Sequence, residues 1–225
     1  MKKLIFPCLL FSLLMGCNKE DSVDVNQDKI YTDYEMFYNA NSDKTVVIAR
    51  FRFGDATGTV LELSDGAHVL YNTDTLTYNN LYAGHAKEYA GEVTAGTFKY
   101  VDVNGDVYNN TVSSTTNIDF EPHFDTIVKS QANTLTWVGS PLGANEYVSV
   151  FIGSWTWGQD ALAVQNQVGS TNIVLGVNQL SNLAIGGSTV YMDRVEAHDV
   201  TEGTSKGGRI RSRYRPANQS VQIVP

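Results

Sequence analysis

From Ile30 to the end of the chain, short alternating stretches are interrupted by turn-forming residues every eight to twelve positions. Lys44 to Phe53 is the clearest of them. Val47, Ala49, Phe51 and Phe53 fall in one phase, and Ile48, Arg50 and Arg52 in the other. Successive side chains of an extended chain point to opposite sides, so this spacing predicts a strand with one buried face. Phe98 to Tyr108 repeats the pattern around Asn104-Gly105, a dipeptide that takes positive φ readily, and predicts a hairpin with a two-residue turn. No segment holds an apolar period of 3.6 residues over four turns. Twelve tyrosines and nineteen glycines, with many Thr, Val and Asn, favour strands joined by turns over helices. The expected fold class is all-β.

The chain beyond the first sixteen residues, 209 positions, suits two ordinary domains or one large all-β domain. Ser113 to Asn117 is polar throughout and marks the expected boundary, giving domains at 29–115 and 116–225. In the second, Asn133 to Val138 sets Leu135 and Trp137 in one phase. Glu146 to Ile152, Asn172 to Leu175 and Thr189 to Ala197 follow as strands. Gln179 to Gly187 reads as a tight corner holding one helical turn, and Val221 to Val224 as a closing strand. The stretch LTW…LSNLAIGGSTVYM resembles immunoglobulin-like and fibronectin-type sandwiches, although its corner is longer than the usual fibronectin spacing. The resemblance covers residues 119 to 225, and 30 to 112 more faintly. It implies two tandem immunoglobulin-like β-sandwich domains.

The first residues read MKKLIFPCLLFSLLMGC. Two lysines, an apolar run too short to span a bilayer, and Gly16 before Cys17 form an export signal over 1–16. Leu14-Met15-Gly16-Cys17 resembles a bacterial lipobox, with Met15 in place of the usual small residue. That resemblance implies lipidation of Cys17 and a lipidated tether over 17–28. Lys19-Glu20-Asp21 resembles the export tag of Bacteroidota surface lipoproteins, which implies a protein of the cell envelope, lipid-anchored to the outer membrane and surface-exposed. Cys8 lies in the signal, so no thiol besides Cys17 remains and no disulfide is expected to staple the fold.

Removal of 1–16 leaves fourteen basic residues against twenty-four acidic ones, a balance of −10. An acidic surface outside the cell repels nucleic acid, so no nucleic-acid partner is expected. Against that balance, Arg209, Arg211, Arg213 and Arg215 stand out. On a strand they share one face, and Ile210, Ser212 and Tyr214 the other. The arginines form either a salt-paired face, with Asp193 and Glu196 as cross-strand partners, or an anion site for acidic polysaccharide or a lipid headgroup.

Asp102-x-Asn104-Gly-Asp106 has calcium-loop spacing at its start. Its glycine comes two positions early, however, and Ser113 occupies the place of the required Glu, so a hairpin turn is the better reading. The four histidines are scattered, and neither a GxSxG elbow nor a paired cysteine nucleophile is present. Glu88 with Glu92, or Asp193 with Glu196, are acid pairs of the kind any acidic surface supplies. The expectation is a chain without catalytic residues, metal or cofactor. Trp155 and Trp157 share a phase between Gly153 and Gly158. They are read either as core or as a stacking platform for sugar rings, with Gln159 and Asp160 at its rim. The expected function is a non-catalytic binding or structural protein, adhesin-like or accessory. Its partners are the membrane through the lipid anchor and a glycan or another envelope protein. The alternative is a carbohydrate-binding surface lipoprotein working through the tryptophans.

Overall fold

Val47, Ala49 and Phe51 are fully buried, as the alternation of their stretch requires, and the same period-two burial recurs along most of the chain. The computed structural model describes residues 19–153 and 158–225. Its first half contains β1 (Lys19–Asp21), β2 (Ile30–Asn39), β3 (Lys44–Phe53), β4 (Val60–Glu62), β5 (His68–Tyr71), β6 (Asp74–Thr75), β7 (Thr77–Asn79), β8 (Gly84–Ala90), β9 (Ala95–Val101) and β10 (Val107–Ser113). The second half contains β11 (Asp119–Phe120), β12 (Thr126–Val128), β13 (Asn133–Val138), β14 (Glu146–Gly153), β15 (Asp160–Gln165), β16 (Asn172–Leu175), α1 (Val177–Leu180), β17 (Gly186–Asp199), β18 (Gly208–Arg215) and β19 (Gln219–Val224). The protein is all-β, with a single helical turn in the corner before β17.

One long sheet runs through both halves in the order β1-β4-β3-β2-β18-β17-β14-β15. β8 also pairs with β3, and β19 with β17. A four-stranded sheet, β10-β9-β5-β6, packs on its first half. Tyr34 and Phe51 of the long sheet meet Phe98, Tyr100 and Tyr71 there in one buried cluster. A three-stranded sheet, β11-β13-β16, packs on the second half, where Leu135, Trp137 and Ile173 meet Val148, Val150 and Met192. Two cores therefore lie side by side beneath one sheet, in a β-sandwich arrangement.

The halves join where β2 and β18 run parallel, paired from Gly208↔Thr32 to Arg215↔Asn39. Gly208 is required at the start of this seam, because any side chain there would collide with Thr32. Ile210, from the C-terminal half, is 1% exposed and belongs to the core of the N-terminal half.

Two local features depart from the sequence expectations, and a third was not anticipated in them. Val101 pairs with Val107, so the loop between β9 and β10 runs over 102–106 and is longer than the expected two residues. The Asp102 carboxylate accepts from the N–H groups of Asn104 and Asp106, at 2.8 and 2.9 Å, and so holds the wider turn, with Gly105 at φ +86°. The segment 17–28 is described from Lys19 onward, and that part lies on the body. β1 pairs with β4, buried Gln27 donates to the carbonyls of Ser22 and Val25, and Asp28 accepts from the backbone and hydroxyl of Ser205. Finally, Arg194 is turned into the core of the second half, 1% exposed. There it is held by Glu146 at 2.6 Å and by the carbonyls of Ser140 and Pro141.

Candidate functional site on the open sheet face

The two smaller sheets cover one face of the long sheet, and the polar phase of its central strands faces the other way. On β2 that phase holds Asp33, Glu35 and Phe37, on β18 the four arginines, on β3 Arg50 and Ile48, and on β17 Asp193 and Val195. The arginines occupy one strand face, as their spacing requires. Their partners come mainly from β2, a strand 178 positions away in sequence.

Glu35 is the hub. Its carboxylate lies 3.1 Å from Arg50, 3.1 Å from Arg213 and 3.5 Å from Arg211. Asp33 lies 3.0 Å from Arg211 and 3.8 Å from Arg209. Asp193 receives Arg215 in a two-pronged contact, 2.7 Å on each oxygen, with Arg213 at 3.9 Å. Burial alone would raise the Glu35 carboxyl, but the guanidiniums of Arg213, Arg211 and Arg50 outweigh it and hold that group below the usual carboxylate range. The planar cations are also stacked: the guanidinium carbon of Arg213 lies 3.7 Å from the Phe37 ring centroid, and that of Arg215 lies 5.5 Å from both Phe37 and Tyr191.

Five guanidiniums, of Arg50, Arg209, Arg211, Arg213 and Arg215, thus meet three carboxylates, an excess of positive charge on a strongly acidic protein. Arg209 stands at the exposed end of the row, opposite Asp199. The Nε groups of Arg211 and Arg213 are buried and have no hydrogen-bond partner among the described residues. A cavity of about 240 Å³ lies over this cluster, walled by Tyr147, Ser149 and Val195. A second of about 360 Å³, lined by Phe37, Val46, Ile48 and Tyr82, adjoins it and shares Arg50 and Arg213.

Of the two acids expected to pair with the arginines, Asp193 does so and Glu196 does not. Glu196 sits opposite Ser212, in the phase that turns away from the arginine row. The spacing already held that result, because residues three apart on a strand point to opposite faces. Asp33 and Glu35 were missed, although their own two-residue spacing marks the polar phase of β2. The parallel pairing that brings them to the arginines leaves no local trace. Trp155 and Trp157 lie outside the described residues. Beside them, Gly153 ends β14 at φ +150° and Gly158 lies at φ +77°; Gln159 is exposed, and Asp160 opens β15 opposite Gly153. Cys17 also lies outside the described residues. Glu88, one of the imagined acid pair with Glu92, is engaged by Lys44 at 2.9 Å and by the Tyr82 hydroxyl.

No protein-family model matches the chain, and no curated protein matches it either. The fold and the arginine face therefore carry the functional argument alone. They describe an all-β sandwich with a basic, aromatic-lined surface on its open sheet.

Proposed function

We propose that the chain is a lipid-anchored, exported, non-catalytic binding protein of the cell envelope, adhesin-like or accessory, which presents the open face of its long sheet to an anionic partner. One observation carries this reading: arginines in surplus over their carboxylates line a cavity on the open sheet face of an otherwise acidic chain. A salt-paired face with no further role would bring its charges into balance, and this one leaves guanidiniums in excess. The export signal and lipobox support the anchor. Lys19 already lies on the sheet, so an acyl group on Cys17 holds the body within two residues of the bilayer.

A second reading, that carbohydrate binds through Trp155 and Trp157, draws support from the glycines bracketing that segment and from exposed Gln159 beside it. Both readings concern binding without turnover.

The test has two parts. Mass spectrometry of the membrane-purified protein is expected to find acyl chains on Cys17, whereas a soluble chain cleaved elsewhere contradicts the anchor. The full mature chain is then presented to panels of envelope polysaccharides and proteins. Retention without turnover, weakened when the open face is altered, is the expected outcome. Turnover abolished by changing one carboxylate overturns the non-catalytic reading.

A further inference from the structure

We propose that the paired cavities at Arg50, Arg211 and Arg213 form a subsite for the carboxylate-bearing ring of an acidic polysaccharide. The inference rests on the binding reading above and names the ligand class for that same face. Three features of the site select this chemistry.

The first is the donors. An arginine fork offers five N–H groups in one plane and matches the two oxygens of a carboxylate. Arg211 spends only Nη2 on its acids, at 3.0 and 3.5 Å, and Arg213 reaches Glu35 at 3.1 Å through Nη2 and Asp193 at 3.9 Å through Nη1. Both residues line the smaller cavity, and their Nε–H groups, buried beneath the cluster surface, take no partner among the described residues. Phe37 stacked on Arg213 holds that plane before any ligand arrives, so little ordering is required on binding.

The second is charge. Five guanidiniums, of Arg50, Arg209, Arg211, Arg213 and Arg215, meet three carboxylates, and the excess positive charge suits an anion. Inorganic phosphate offers charge alone and leaves the apolar floor of the adjoining cavity uncovered, so the ring separates the two ligands.

The third is the adjoining cavity. Its floor is apolar, with Val46 and Ile48 at 8% and 2% exposure, and Phe37 and Tyr82 provide aromatic walls. Ser42 and the Lys44–Glu88 ion pair line the same cavity and supply its polar groups. Its volume of about 360 Å³ lies within the roughly 300–1,000 Å³ of small-molecule sites. A sugar ring has apolar C–H faces and a polar edge, and this floor and these polar groups accommodate both. The shared residues Arg50 and Arg213 place the carboxylate where the two cavities meet.

Titration calorimetry on the full mature chain tests the assignment, with oligogalacturonate, its fully methyl-esterified form and inorganic phosphate as probes. The acid form is expected to bind, the ester at least about tenfold more weakly, and phosphate not to displace the sugar. Arg213→Lys keeps the charge but loses the fork and its stack on Phe37; it is expected to lower the melting temperature somewhat and, read well below that temperature, to weaken binding about tenfold. Tyr82→Ala, in the turn before β8, provides a second variant outside the ion-pair cluster. Equal binding of acid and ester, or displacement by phosphate at equal concentration, overturns the ligand class. Failure of the uronate, with another envelope polymer still bound and lost in Arg213→Lys, sinks the ligand and spares the face. If no polymer's binding responds to either variant, both proposals fall.

Discussion

Arg213 stacks over Phe37, its register partner across the parallel seam of β2 and β18, with the guanidinium carbon 3.7 Å from the ring centroid. One contact thus joins the two halves of the chain and orients a cation on the open face. From it the ion pairs extend to Glu35 and, more loosely, to Asp193. Structure and proposed binding share these residues, so perturbing the cluster has effects of both kinds.

Glu35→Gln is expected to destabilise the fold by about 3 kcal/mol, since removing one partner from a buried ion cluster strands the others. Glu35 is only 5% exposed at its side chain and faces three guanidiniums. Urea denaturation of the variant measures the loss. A change within a few tenths of a kcal/mol would show that the cluster contributes nothing net. Because its folded pKa lies below the ordinary value, Glu35 stabilises the fold above that value and loses this contribution as pH falls through the folded pKa.

His85 sets a separate acid limit. Burial pushes its imidazole from 6.5 down to about 4, against the nearby Glu62 and a backbone contact at Ala49, which act in the opposite direction. Its Nε2 accepts from the Leu63 N–H at 3.3 Å, which requires the neutral ring. A depressed folded pKa means that the unfolded chain binds the proton first. The contribution of His85 is therefore fully present above 6.5 and declines as pH falls toward about 4, by at most about 3 kcal/mol. Stability of His85→Gln against pH is expected to be flatter through that window than that of the parent. Parallel curves would contradict the assignment.

Ile210→Ala tests the shared sheet. Ile210 lies on β18 yet fills the core containing Tyr34 and Phe98, so a loss of about 2–5 kcal/mol is expected. Hydrogen exchange should accelerate in β9 and β10, which belong to the other half. Residues 29–115 expressed alone lack β18 and are expected to fall short of the stability they have in the whole chain. A fragment that folds independently with unchanged stability would show that the seam contributes little.

Much of this fold was legible in the sequence because period-two burial is a local property. The strand at Lys44 to Phe53, the buried phase of Leu135 and Trp137, and the arginine row each follow from neighbouring residues alone. The long sheet was not legible. β2 and β18 pair in parallel across the whole length of the chain, and parallel pairing carries no turn between its strands to announce it. The site was half legible for the same reason. The arginines could be placed on a common face, but Asp33 and Glu35 could not be set beside them without the seam. Asp102 shows a smaller miss of this kind. Asn104-Gly105 indicated a tight turn, and the carboxylate two positions earlier widened it by taking two N–H groups.

The most direct test of the central claim follows the arginine Nε–H resonances of the ¹⁵N-labelled mature chain during titration with oligogalacturonate. Arg211 and Arg213 line the cavity and their Nε groups have no partner among the described residues, whereas the Arg194 Nε is held by Glu146 at 3.1 Å in the core of the second half. The account predicts that the Arg211 and Arg213 signals shift progressively and saturate while that of Arg194 stays in place. If Arg211 and Arg213 remain unmoved at saturating ligand, or all arginine signals drift together without saturating, the open face is not the binding site.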